Sequence, residues 1–294
     1  MRVADLKSFM EARHAIYIRR ASGAPFPWTS DAILQKYRFC NVYRELDVVT
    51  RWVADNIRTP YAEHENLWFM LAIARQINWP ETLQDLMNAG CWPTENSWNW
   101  KLARQVMLDR QARGEQLYTG AYMLNAHGTA PSDPKDKAFF TTRLVLDSVW
   151  QAKREIVGAL GVGTLESAWR AFLPYHGWGP FTAYEVVTDL RWTRYLHKAP
   201  DINTWANAGP GAIRGLNRVY GRPLTSKLGA QSALAEMRQL LTEVSRIWPI
   251  GQEWPRLELR EIEHSLCEFD KYERVRLGEG RPRSTFRPNK DVLP

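Results

Sequence analysis

Four stretches of this chain hold residues whose types and spacing could do chemistry. The first is EHSLCEFDKY, in which His264, Glu268 and Lys271 fall at i, i+4 and i+7, one face of a helix. Glu263, Cys267 and Asp270 form the adjacent stripe. His264 and Glu268 could orient one another as an acid–base pair. A zinc site from His264, Cys267 and Glu268 matches no standard ligand spacing. Cys267 as a nucleophile is a further reading, against buried packing as the usual fate of such a thiol. The second stretch is RFCNVYRELD, where Asn41, Arg44 and Glu45 share a face at i, i+3 and i+4. Arg44 suits a bidentate phosphate contact and Asn41 a base edge, while an ion-pair lattice is the plainer alternative. In the third, Gly209-Pro210-Gly211 opens a helix bearing Arg214 and Arg218, a combination of N–H groups and cations that could bind an anion.

The fourth stretch, 164–201, reads as helix, tight turn, helix. Gly177-Trp178-Gly179 makes the turn, and Pro180 stands at the favoured first position of the second helix. Glycines here permit positive φ and close backbone approach, so the first amides of that helix can hold a phosphate without reading sequence. Glu185, one turn in, could face the same pocket or serve as an exposed ion-pair partner. Asp201 reads either as a general base or charge stabiliser, or as the N-cap of a short helical stretch after it. Trp178 at the turn and Trp205 beside Asp201 are the two tryptophans of 14 with a place to stack on a base; the others read as core.

The elements that must position these groups are helices. Periodicity predicts them over 31–57, with Ser30-Asp31 as N-cap, and near 64–77, 81–88, 97–113, 136–160, 164–173, 180–191, 226–247 and 258–275. Pro60, Gly90, Gly161 and Pro249 mark stops. Only 119–126 resembles a strand, and 127–137 is a polar, Pro-bearing candidate linker. The fold class is mainly α, and three regions are expected: 1–130, 131–250, and 251–294, the last completing the N-terminal lobe beside a central cleft.

Composition narrows the class. The chain has 294 residues and a formal charge of +7. No apolar run approaches the roughly 18–20 residues of a membrane span, and the N-terminus lacks the apolar stretch of a signal peptide. Cys40, Cys91 and Cys267 are widely spaced, so a disulfide framework is not expected. A reduced, soluble, intracellular protein follows. Residues 271–294 hold seven basic and three acidic groups, so four of the seven net charges lie in a tail that includes Arg281 and Arg283. Such a tail fits a polyanionic partner or simple solvation.

Gly177, Gly179, Thr182, Ala183 and, some twenty residues on, Asp201 resemble the hairpin and aspartate of helix-hairpin-helix DNA glycosylases of the endonuclease III type. Where the bifunctional members carry a Schiff-base lysine, this chain has Phe181, so lyase chemistry is not expected. Together with RFCNVYRELD, GPGAIRGLNR and EHSLCEFDKY, the sequence from about 25 to 287 is similar to the α-glutamyl/putrescinyl-thymine pyrophosphorylases of phages, also described as amino acid:DNA transferases. That family is related to the helical domain of 5-hydroxymethyl-uracil DNA kinases. No GxxxxGK[ST] phosphate loop occurs here, so the kinase half is absent from the sequence.

The resemblance implies DNA base hypermodification. An amino acid or polyamine displaces pyrophosphate from the C5 methylene of a modified thymine in double-stranded DNA, the base leaving the stack to reach the site. On that reading Asp201, Glu185, His264 and Glu268 are the candidate catalytic groups. Asn41, Arg44, Gly209, Gly211, Arg214 and Lys271 would hold substrate or pyrophosphate, and Gly177, Trp178, Gly179, Thr182, Arg281 and Arg283 would contact DNA. No protein-bound metal is expected; Mg²⁺ could accompany the pyrophosphate. The implied location is the cytoplasm of a phage's bacterial host. A monofunctional glycosylase and a non-catalytic DNA-binding module are the competing readings.

Overall fold

The computed structural model describes residues 1–95, 97–120 and 136–288. Among these the regular structure is helical, with two isolated bridges and no strand. Of the expected strand 119–126, only Thr119 and Gly120 are described, and Thr119 N–H donates to Ile77 O. Most of the expected linker, 127–135, lies outside the described residues. The chain divides into two compact units, Met1–Asp47 with Ile202–Pro294, and Val48–Asp201. The divisions thus fall after 47 and 201 rather than at 130 and 250, because the chain's two ends share one set of helices.

The discontinuous unit contains α1 (Val3–Ala21), α2 (Ala32–Lys36), α12 (Pro210–Tyr220), α13 (Ala230–Ile247) and α14 (Leu259–Arg276). The α12–α14 crossing is its tightest helix pair. A Cβ at Gly211 would lie 2.4 Å from Cys267 Sγ, and one at Gly215 only 2.2 Å from Leu266 O. Two glycines four residues apart therefore set the approach of the backbones. Around that seam Leu216, Leu266 and Phe269 are buried, and Phe9 of α1 packs its ring 5.7 Å from Phe269. α14 starts at a capping box in which Glu258 and Glu261 satisfy one another's amides. α1 has a weak amphipathic pattern and was not expected from periodicity; Leu6, Phe9, Met10, Arg13 and His14 form its buried side.

The expected helix 31–57 is broken. Asp31 caps α2 as its position suggested, accepting from Ile33 and Leu34 N–H, but Tyr37 turns extended and pairs with Thr285. Residues 38–43 are irregular and a single 3₁₀ turn follows at Arg44–Leu46. The basic tail supplies the reason: Phe286 N–H donates to Lys36 O at 2.9 Å, and the Phe286 ring packs against Phe26 and Trp28. Competition from this antiparallel pairing ends α2, and it makes the tail through Phe286 part of the fold.

The second unit runs from α3 (Val48–Val53) and a π-helical turn (Ala54–Arg58) through α4 (Leu67–Ile77), α5 (Pro80–Asn88) and α6 (Trp100–Ala112). A nearly continuous rod follows: α7 (Lys137–Phe139), a π-helical stretch (Phe140–Leu146), α8 (Asp147–Gln151) and α9 (Lys153–Leu160). The unit closes with α10 (Leu165–Phe172) and α11 (Pro180–Leu190). All eleven residues of α4 are buried, so this helix is the axis of the core. Its one charge, Arg75, is neutralised by Asp189 of α11 through Nε–Oδ2 and Nη2–Oδ1 contacts of 2.5 and 2.8 Å. Thr50 Oγ1 and Asn78 Oδ1 take further guanidinium protons, so the buried pair is fully hydrogen-bonded.

Candidate functional site

The irregular segment 38–47 lies along α14 and brings its polar groups onto the His264 face. Glu268 is the hub: its carboxylate accepts from Cys40 N–H at 3.1 Å and from Lys271 Nζ at 2.7 and 2.9 Å. Arg13 Nη1 of α1 stands 3.7 Å away. The Phe39 ring is flanked by both cations, Arg13 at 5.2 Å and Lys271 at 4.7 Å from its centroid. Arg13 is only 5% exposed, and burial lowers its pKa, opposed by the Glu268 carboxylate.

Beside this hub, Arg44 Nε pairs with Asp47 Oδ2 at 2.7 Å, and Arg44 Nη1 lies 3.4 Å from His264 Nε2. Asn41 donates its backbone N–H and its Nδ2 to Asp47 Oδ1, at 2.9 and 3.0 Å. Burial raises the pKa of Asp47, with Arg44 the main opposing influence. On the other side of His264, Nδ1 is 3.3 Å from Glu263 Oε2, and Glu263 Oε1 accepts Gly209 N–H at 3.4 Å. Asn41, Arg44, Gly209, Gly211, His264, Glu268 and Lys271 are therefore assembled at one place within the discontinuous unit.

Several expectations need correction. Asn41 and Arg44 share a site through a loop and a 3₁₀ turn, not through a helix face. Glu268 is not the partner of His264; Glu263 is. The amide of Gly209 already faces a carboxylate, and Gly211 serves the close crossing on Cys267. Arg214 and Arg218 are turned to Asp270, each through Nε at 2.8 Å, so their charges neutralise a buried aspartate. Thiolate chemistry is disfavoured: burial pushes the Cys40 thiol up to about 12, with the Glu268 charge adding to it, and the Cys267 thiol is raised as well although that residue keeps exposed surface. Among the described residues no three His, Cys, Asp or Glu side chains are placed to hold a metal ion.

The hairpin candidates lie in the other unit. Gly177 adopts φ 77°, and its Cα is pressed so close to Val145 that a Cβ would meet Cγ2 at 2.3 Å. Trp178 is not a stacking platform: it is 2% exposed, donates Nε1–H to Val145 O at 3.0 Å and packs on Phe172. Trp205 is likewise buried, at 8%. Gly179 has open space around its Cα, Thr182 is half-buried, and Phe181 next to it is 53% exposed. Glu185 is 1% exposed, inside α11 rather than on its surface.

Asp201 caps a helix, but not one that follows it. Its Oδ1 and Oδ2 accept the N–H groups of Leu165 and Glu166, at 2.9 and 3.0 Å, in the first turn of α10. No helix starts at 202–204. Arg281 and Arg283 are exposed along the docked tail.

Sequence reasoning missed Arg13 and Asp47 altogether. Arg13 sits on a helix whose pattern was too weak to read, and Asp47 acquires its role only where the expected helix breaks. Glu263 was visible as part of the α14 stripe, one residue from His264.

The family described as the helical domain of 5-hmdU DNA kinase matches residues 2–281. The chain belongs to this family. The match runs through both units and includes every residue of the α14 site. A similar protein is the 5-hmdU DNA kinase of Bacillus phage SP10, 27% identical over 289 residues. That alignment covers 90% of this chain and 44% of the phage protein, so the helical-domain chain spans less than half the length of this relative. No solved structure matches it. Among the described residues no helix is long and apolar enough to cross a membrane.

Proposed function

We propose that this helical-domain protein acts in the hypermodification of thymine-like bases in phage DNA. Its reaction, on this reading, transfers an amino acid or polyamine to 5-pyrophosphoryloxymethyl-uracil and releases pyrophosphate. The observation that carries the reading is the α14 site: cationic Arg13, Arg44 and Lys271 alternate there with Glu263, Glu268 and Asp47, around one histidine. Displacement of pyrophosphate by an amine needs both kinds of group, a base for the ammonium and cations for the departing charge. The family match supports DNA as the substrate, since the phage relative is named for a modified DNA base.

In this proposal Asn41, Arg44 and Lys271 receive the modified base and its pyrophosphate, His264 governs proton traffic, and Glu268 is the counter-ion of Lys271 and Arg13. A Mg²⁺ ion would be carried by the pyrophosphate, because Asp47 and Glu268 are already matched by cations and Glu263 accepts the Gly209 amide. Asp201 and Glu185 fall outside the chemical set: one spends both oxygens on the amides of α10, and the other is enclosed in α11. The α10–turn–α11 hairpin is proposed as a glycosylase-like grip on the DNA backbone. Supporting this are the open Gly179, the exposed first turn of α11 and the exposed Phe181 at its head. Arg281 and Arg283 would add non-specific affinity.

The test is incubation of the full chain with duplex DNA bearing 5-pyrophosphoryloxymethyl-uracil and a mixture of amino acids and polyamines. Nucleoside mass spectrometry should find an aminomethyl-linked adduct, with pyrophosphate released in equal amount. No adduct with any amine, and no pyrophosphate, would refute the transferase. Release of a free base would point instead to a glycosylase.

A further inference from the structure

The contacts of His264 have a direction. A guanidinium only donates hydrogen bonds, so the ring nitrogen facing Arg44 at 3.4 Å, Nε2, must present its lone pair. The proton of the neutral ring is then on Nδ1, 3.3 Å from Glu263 Oε2. Glu263 is itself fixed, since its other oxygen accepts the N–H of Gly209 at the head of α12. Arg44 is fixed by Asp47, which also gathers Asn41. Glu268, the other acid of this face, is engaged by Lys271, Arg13 and the Cys40 amide. A carboxylate with those three partners is a counter-ion, poorly placed to accept a proton.

We propose that Glu263 and the Asp47–Arg44 pair are positioning residues that hold His264 with Nε2 as its basic atom, set to take a proton from the donor ammonium. The role rests on the transferase reading above. The balance is simple. The donor R–NH₃⁺ gives one proton to Nε2, leaving R–NH₂ and an imidazolium whose Nδ1–H faces Glu263. The amine lone pair forms a C–N bond to the C5 methylene as the C–O bond breaks, and that electron pair departs with pyrophosphate. The adduct keeps the positive charge on its secondary ammonium, and the imidazolium returns its proton to solvent. The Arg44–His264 contact is at the long end for a hydrogen bond. An arriving ammonium displaces it, and the released guanidinium turns to the leaving group while Asp47 keeps it in reach.

The tautomer is measurable without any substrate. In the full chain labelled with ¹⁵N-histidine, His264 is assigned by the signal lost in His264→Gln. Its neutral ring is expected as the Nδ1–H form, the opposite of the form free histidine prefers. Glu263→Gln and, separately, Asp47→Asn should each shift the population toward Nε2–H, with circular dichroism showing that the variant is folded. A wild-type ring protonated on Nε2, or one unmoved by either variant, overturns the proposal. In the DNA assay the acid limb of the rate profile should follow the His264 titration midpoint, moving with Glu263→Gln. An acid limb that ignores that shift also overturns it. If no adduct forms while the Nδ1–H form and its response are found, the transferase reading fails and the positioning of His264 stands.

Discussion

Replacing either glycine of the α12–α14 seam by alanine inserts one methyl group, but the two sites should respond differently. At Gly215 the new Cβ would lie 2.2 Å from the carbonyl oxygen of Leu266, whereas ordinary contact begins near 3.4 Å. The obstacle is helix backbone and cannot rotate away, so the helices must part by roughly 1 Å along a close-packed seam. Overpacking of this kind costs about 1–3 kcal/mol, against about 1 kcal/mol gained by removing a mid-helix glycine. Since the seam also buries Leu216, Leu266 and Phe269, Gly215→Ala is expected at the upper end, a net loss of about 2 kcal/mol. At Gly211 the obstacle is Cys267 Sγ at 2.4 Å, and Cys267 Cβ at 3.3 Å is nearly acceptable. Turning that thiol off its rotamer costs about 0.5–1.5 kcal/mol, so Gly211→Ala should be close to neutral, and in the C267A background it should stabilise. Urea unfolding followed by far-UV circular dichroism measures each difference, with the midpoint compared at constant slope. Gly215→Ala within about 0.5 kcal/mol of wild type, or the same effect of Gly211→Ala with and without Cys267, would refute the argument that these glycines are there for helix approach.

Three further outcomes follow from buried polar groups. Asp189→Asn leaves Arg75 charged in the core and should cost about 3–5 kcal/mol, while replacing both partners with apolar residues of similar volume should cost much less; thermal melts of the two variants decide it. Asp201→Asn puts an amide N–H against one of the two first-turn amides of α10, so a loss of about 1 kcal/mol is expected. Its effect should appear in hydrogen exchange at Leu165 and Glu166, and an unaffected first turn would contradict the capping role. His14 has its pKa lowered below 6.5 by burial, only partly offset by the Glu253 carbonyl. Between that lowered value and 6.5 the unfolded chain binds the extra proton, so stability should fall as pH drops through this window. The slope should flatten in His14→Gln, and an unchanged slope would show that another group carries it.

The helical class and most helix positions were legible because single helices announce themselves through caps and periodicity; Asp31, Pro180 and Gly209 all stand where their helices begin. What sequence could not supply was competition between segments. Tyr37 ends α2 because Thr285, almost 250 positions away, offers it a partner, and a local 3.6-residue pattern carries no trace of that. The same break decides the candidate site. On an unbroken helix Asn41 and Arg44 would have lain on one face with Glu45; in the loop they gather on Asp47, which no spacing had marked. Arg214 shows the converse: cationic, beside two glycines at a helix start, it looked like an anion site until α14 placed Asp270 against it. The net charge was similarly ambiguous. Several buried carboxylates of the discontinuous unit absorb nearby arginines, as Asp270 does Arg218 and Glu273 does Arg2 and Arg276. Arg281 and Arg283 of the docked tail are exposed, and they are the cations proposed to meet a polyanion. If these grip DNA, their substitution should lower the salt slope of binding without moving the tautomer of His264, because the groups argued to orient that ring are Glu263 and the Asp47–Arg44 pair, not the tail.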